Sequence, residues 1–286
     1  MLIWFALPHQ LMLQQLYTKA RTAGFFVWIH AMALPDYPRN PHYGTGAYRR
    51  RIRLEQRDGA VFGALEDTNH GFTVTVTHDG ERVTAIDAQT KRIPYTSCPG
   101  AVEPIKGYVG TSIHASLRDL NFHMPPSSNC THLLDLTVMA IRHAACATPV
   151  RQWDITVTDQ TEAHDAICTV LRDGEQIFQW QARDLQLTQP TEFAGNPFYL
   201  GFGKWATKCF EGDELEAAFI LQKGYFVSLA RFFDVEQMAG EPALASQEGM
   251  GGACYTYSHP AIEHGVRTAG CVRDFSDCEE MLLKFV

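Results

Sequence analysis

The chain has 286 residues, a formal net charge of −8 and ample apolar material for a core, which fits one large globular domain or two ordinary ones. The acidic balance excludes a general nucleic-acid binder, which needs a basic face. Eight widely spaced cysteines without a Cys-x-x-Cys pair exclude a disulfide scaffold and a structural zinc finger; they fit free thiols in a reducing cytoplasm.

Residues 22–33 are apolar behind Lys19 and Arg21, but His30 interrupts the run and it is too short to cross a membrane. The expectation is that translation starts at Met32 and that residues 1–31 are a start-site artefact. A signal segment ending near Ala31-Met32-Ala33 and an ordered helix are the alternatives. Residues 1–47 are thus an extension and a proline- and glycine-broken lead-in.

From Tyr48 the pattern has period two, and strands are predicted at 48–55, 60–67, 70–77 and 82–88. Asp58-Gly59 and Asp79-Gly80 are hairpin signals, so this is an antiparallel meander. Alternation puts Tyr48, Arg50, Ile52 and Leu54 on one face and Arg49, Arg51 and Arg53 on the other. An arginine on an apolar face must be paired or meet an anion. Asp67 ends the second strand and His70 shares a face with Phe72, so Arg50, Asp67 and His70 are expected to converge. Residues 111–120 fit either a strand or a short helix.

Ser127-Ser128-Asn129 offers helix caps, and the apolar residues Leu133, Leu134, Leu136, Val138, Met139 and Ile141 predict a buried helix through about 145. Cys130 and His132 then fall in its first turn, where unsatisfied N–H groups and the helix dipole favour negative charge. Residues 48–147 form the first unit.

The second unit, 148–286, repeats the theme. Strands are predicted at 153–158, 166–171 and 176–185, with Asp173-Gly174 as a hairpin turn. Residues 193–205 are aromatic and glycine-rich, and a helix is expected over 213–234, with Gly224 as a flaw in its middle. A loop at 239–252, a strand-like piece at 254–257, a helix over 259–269 capped by Ser258, and a short last helix from Ser276 complete the reading. The fold class is α+β: antiparallel meanders each packed on a helix, either as two similar halves or as a single two-part domain.

The Tyr48-Arg49-Arg50 start, Leu65-Glu66-Asp67-Thr68, Cys98-Pro99-x-Ala101, Gly110, and Cys130-Thr131-His132-Leu133-x-Asp135-Leu136 together resemble a bacterial family of domains of unknown function. The resemblance spans about residues 45–145, and at His70 the chain departs from that family's pattern. It implies a place in bacterial catabolism of aromatic and other hydrophobic compounds.

The leading expectation is a cytoplasmic, cofactor-independent lyase acting on a small lignin-type phenolic compound, with release of formaldehyde. His132 would move a proton, with His70 and Asp67 as second acid/base and orienter. Arg50 would stabilise an anionic phenolate or carboxylate, and Cys130, Trp205 and Tyr255 would line the substrate pocket. No metal or other cofactor, nucleic acid or membrane is expected; a homo-oligomer is compatible with this reading. Two alternatives stand beside it: a hydrolase using Cys130 or a metal-bound water, and a non-catalytic binder of hydrophobic ligands.

Overall fold

A computed structural model describes residues 37–285; the expectation about residues 1–31 lies outside them. Eight antiparallel strands form one sheet in the order β4-β3-β2-β1-β5-β6-β7-β8. The strands are β1 Ala47–Arg57, β2 Ala60–Asp67, β3 Gly71–His78, β4 Val83–Arg92, β5 Val150–Thr158, β6 Ala166–Arg172, β7 Glu175–Arg183 and β8 Gln186–Gln189. The principal helices are α1 Leu117–His123, α2 Thr131–His143, α3 Phe202–Cys209 and α4 Gly212–Ser228.

A four-strand meander followed by a helix occurs twice; the sequence pattern predicts all four strands of the first and three of the second. The two halves share one continuous sheet because β1 pairs with β5 along most of its length, from Ala47 with Thr158 to Glu55 with Val150. Helix α2 packs on β1, β2 and β3, and α4 on β1, β5, β6 and β7. Both cover the same sheet face, where Tyr48, Ile52, Leu54, Leu65 and Ile155 are buried. The flaw at Gly224 has a steric cause: a Cβ there would lie 2.6 Å from Ile155 Cγ2, so glycine lets α4 press onto β5.

The sequence pattern and the structure part at the turns and in the last third of the chain. Of residues 111–120, those from Leu117 enter a helix, α1, capped by the Ser116 hydroxyl, which accepts from the Asp119 N–H, while Ser112 forms an isolated bridge with Arg82. The strand expected over 176–185 is a hairpin, with Asp184 and Leu185 both at positive φ between β7 and β8. No glycine marks that turn, so the pattern ran through it. Cys130 is the N-cap residue of α2 rather than part of its first turn, and its side chain makes no capping bond.

The helix expected over 259–269 does not form. Its backbone is committed elsewhere: Ala243 N–H donates to Gly265 O, Arg267 N–H to Glu241 O and Thr268 N–H to Pro94 O. Only the single turn Ala261–Glu263 remains, and Ser258 donates back to Cys254 O instead of capping. Residues 254–257 are likewise not a strand; Tyr255 N–H donates to Asn129 O. The Ser276 capping box is also diverted. Its hydroxyl accepts from Ala47 N–H and donates to Ala47 O, leaving only the turn Glu279–Met281. This C-terminal segment runs against the β1–β2 end of the sheet, where Leu283 N–H donates to the buried Glu66 carboxylate and Arg273 N–H to Thr68 O.

Candidate functional site

Strand alternation turns Tyr48 and Arg50 inward on β1. Register places Arg50 directly opposite Asp67, the last residue of β2. Asp67 opens a tight turn in which its N–H donates to His70 O. Its Oδ1 accepts from the N–H groups of Asn69 and His70 at 2.9 Å each, an Asx-type turn that fixes the carboxylate from below. The same oxygen lies 2.9 Å from His70 Nδ1. The other oxygen, Oδ2, accepts from the Tyr48 hydroxyl at 2.8 Å and from Arg50 Nε at 3.2 Å and Nη2 at 2.8 Å.

His132, in the first turn of α2, completes the group. Its ring stacks on His70 with centroids 3.8 Å apart and planes 25° from parallel. Its Nε2 is 3.7 Å from Asp67 Oδ2, too far for a hydrogen bond, and is buried without a partner. Arg92 holds the turn from behind, donating to the backbone carbonyls of Thr68, Asp67 and His70 and to the Glu66 carboxylate.

The electrostatics follow from burial and pairing. Burial alone would raise the Asp67 pKa, but His70 and Arg50 beside it together hold the carboxyl well below its ordinary range. Burial, reinforced by His70 and Arg50, drives the His132 imidazole well below its ordinary 6.5 against the opposing pull of Asp67, so this ring is neutral at pH 7. Burial likewise raises the Tyr48 phenol, which stays a hydrogen-bond donor. The assembly is an ionised carboxylate with five hydrogen bonds from neighbouring groups besides the His70 ring, one imidazole oriented by it, and a second, neutral imidazole on top.

Among the described residues, the candidate ligand atoms of Asp67, His70 and His132 lie within 4.8 Å of one another, a spacing a metal ion could use. The ring orientation does not suit it. Imidazole lone pairs lie in the ring plane, and two rings stacked face to face aim them along nearly parallel planes rather than at one point. A shared ion would require one ring to turn and Asp67 to release a donor.

Of the other expected site residues, Arg50 joins this group, and Cys130, Tyr255 and Trp205 make other contacts. Cys130 is buried, and burial, with Cys98 and Cys254 nearby, pushes its thiol well up, the reverse of an activated nucleophile. Tyr255 packs against Gly100 beside that cysteine. Trp205 sits in an aromatic cluster with Trp180, Phe193, Phe202 and Phe210 over the β7 side of the sheet. Arg50 belongs to the site, but two of its nitrogens are bonded to Asp67. Tyr48 had no role assigned from the sequence, although it shares a face with Arg50 two residues on. A groove between α2 and α4 was also out of reach of the sequence. It has a free volume of ≈ 50 Å³, a floor of Arg50, Ile52 and Leu65, and walls that include Val138, Met139 and Phe219.

A family model described as "Protein of unknown function (DUF2889)" matches residues 54–146. The chain is similar to that family over roughly a third of its length, from within β1 to just past α2. The match takes in Asp67, His70, Cys130 and His132 and leaves out Tyr48, Arg50 and all of α4. No curated protein matches the chain. No helix among the described residues is long and apolar enough to cross a membrane.

Proposed function

We propose that the Asp67–His70–His132 group is an acid/base centre that turns over a small organic substrate without a cofactor. The observation that carries this reading is the 2.9 Å contact between His70 Nδ1 and an Asp67 carboxylate locked by Tyr48 and Arg50. A carboxylate on Nδ1 fixes the tautomer, stabilises the imidazolium, and leaves Nε2 as the working base. That assigns the proton transfer to His70, with Asp67 as orienter. His132, neutral and stacked on His70, is a hydrogen-bond donor or acceptor toward substrate rather than a resident cation.

The reaction proposed is that of a cytoplasmic lyase on a lignin-type phenolic side chain. The phenol first becomes a quinone methide by losing its benzylic hydroxyl as water, with the phenolic O–H supplying the second proton. His70 then takes the proton of the neighbouring CH2–OH group, and the O–H electron pair becomes the C=O bond of formaldehyde. The C–C bond breaks, its pair moves into a quinonoid ring to restore a phenolate, and the proton held by His70 neutralises that oxygen. Atoms and charge balance with no redox partner. The buried Cys130 thiol gives no support to a cysteine nucleophile.

Incubation of the full chain with a panel of phenolic diols, with formaldehyde measured as product, tests the reading. Turnover in wild type that falls about 10²–10⁴-fold in His70→Ala is the expected result. Full turnover in both His70→Ala and His132→Ala sinks the assignment, and binding without product over long incubation favours a ligand-binding protein.

A further inference from the structure

The groove between α2 and α4 is framed by two ion pairs that cross from one helix to the other. Asp135 of α2 pairs with Lys223 of α4, and Arg142 of α2 with Glu216 of α4. The partners are seven residues apart on each helix, so the two rungs stand about 10 Å apart along antiparallel axes. Their polarity is opposite: the α2 partner is the acid in one rung and the base in the other. Between them lie apolar walls and the Arg50 floor.

The two rungs are not equivalent. Glu216 is largely buried and Arg142 partly covers it. Lys223 is the exposed member, with 40% of its side chain open to solvent. Asp135 is three residues after His132 on α2 and so lies on the same helical face, toward the acid/base centre. The charge of Lys223 is felt at His132, and that of Asp135 at Arg50 and Tyr108. The free volume of ≈ 50 Å³ admits only a few waters, so a ring enters only as the flexible Lys223 stem swings aside.

We propose that the Asp135–Lys223 rung is the subsite for the carboxylate of a one-ring organic acid, with Lys223 exchanging Asp135 for the ligand. Lys223 already holds a carboxylate here, so a ligand carboxylate reproduces the same N–H···O bonds. The frame length suits one ring, which then lies against Phe219, Met139 and Ile52. The released Asp135 turns toward Arg50, whose charge already reaches it. The inference rests on the acid/base reading only for its choice of site.

Calorimetric titration of the full chain with benzoate, and with benzyl alcohol as the uncharged ring, tests it. Benzoate is expected to bind at least tenfold more tightly than benzyl alcohol. Lys223→Gln should weaken benzoate about tenfold and leave benzyl alcohol unchanged, and Lys223→Arg should restore most of the loss. Asp135→Asn removes the internal competitor and should tighten benzoate severalfold, a gain that no folding defect can produce. Absence of benzoate binding, equal affinity for the two probes, or an Asp135→Asn protein that binds benzoate no more tightly than wild type overturns the subsite. Formaldehyde assays on the same proteins keep the two proposals apart. Turnover with Lys223-independent benzoate binding removes the subsite alone, whereas Lys223-dependent binding without turnover of any diol removes the lyase reading alone.

Discussion

Both oxygens of Asp67 are fully engaged, so the residue stabilises the fold as well as orienting His70. Asp67→Asn keeps the size but leaves the buried Arg50 guanidinium without a counter-charge. Breaking a buried pair in this way costs about 3–5 kcal/mol, and urea denaturation at pH 7 should show it. Asn also cannot accept all the donors now aimed at the carboxylate, so His70 should lose its orientation even in the fraction that stays folded. The pH dependence has a clear sign. Folded His132 binds its proton only well below 6.5, whereas the unfolded chain binds it near that value. Unfolding therefore takes up a proton in mild acid, and stability should fall as pH drops below about 6.5, by up to about 1.4 kcal/mol per pH unit from this residue. His132→Asn should flatten the slope between pH 6.5 and 5. A residual slope belongs to His143, which burial lowers in the same direction. Asp67 acts in a lower window, contributing stability above the ordinary carboxylate value of 3.8 that is lost as pH falls through its depressed folded value.

At the scale of elements, α4 shows how packing overrides propensity. Glycine in mid-helix costs about 1 kcal/mol relative to alanine, yet Gly224→Ala should destabilise. The new methyl would sit 2.6 Å from Ile155 Cγ2, and forced overpacking costs about 1–3 kcal/mol. Chemical denaturation should show a net loss, and in a double-mutant cycle Ile155→Ala should recover part of it. A Gly224→Ala protein more stable than wild type would mean that α4 is free to lift from β5. The elements themselves were legible where periodicity was local. The strands up to β7 and the starts of α2 and α4 follow from alternation, Asp-Gly turns and apolar stripes. The expected helix at 259–269 failed because its backbone donors and acceptors bond to segments far away in sequence, which no local pattern records.

For the whole molecule, pairing of β1 with β5 should make the two halves unfold as one cooperative unit. The buried Trp153 and Trp180 lie in the second half, so their fluorescence can report on damage made in the first. Leu65→Ala on β2 should cost about 2–5 kcal/mol and shift the tryptophan transition by the same amount as the far-ultraviolet circular dichroism transition. A tryptophan transition that stays in place would show two independently folding halves.

The sequence by itself determined the α+β class, the repeated meander-and-helix order, and the convergence of Arg50, Asp67 and His70 at one end of a sheet face. Those follow from period-two alternation and short hairpins, both of which act over a few residues. It also marked the start of α2 as a place for chemistry. Only the tertiary structure decided that His132 stacks on His70, that Tyr48 and Arg50 occupy one oxygen of Asp67, and that Lys223 stands across a groove from Asp135. It likewise decided that Trp205 joins the aromatic cluster over β7 and that Tyr255 packs against Gly100. The His70–His132 and Asp135–Lys223 contacts join residues 62 and 88 positions apart and depend on how helices settle on the sheet, which is set by packing the shared core rather than by any spacing along the chain.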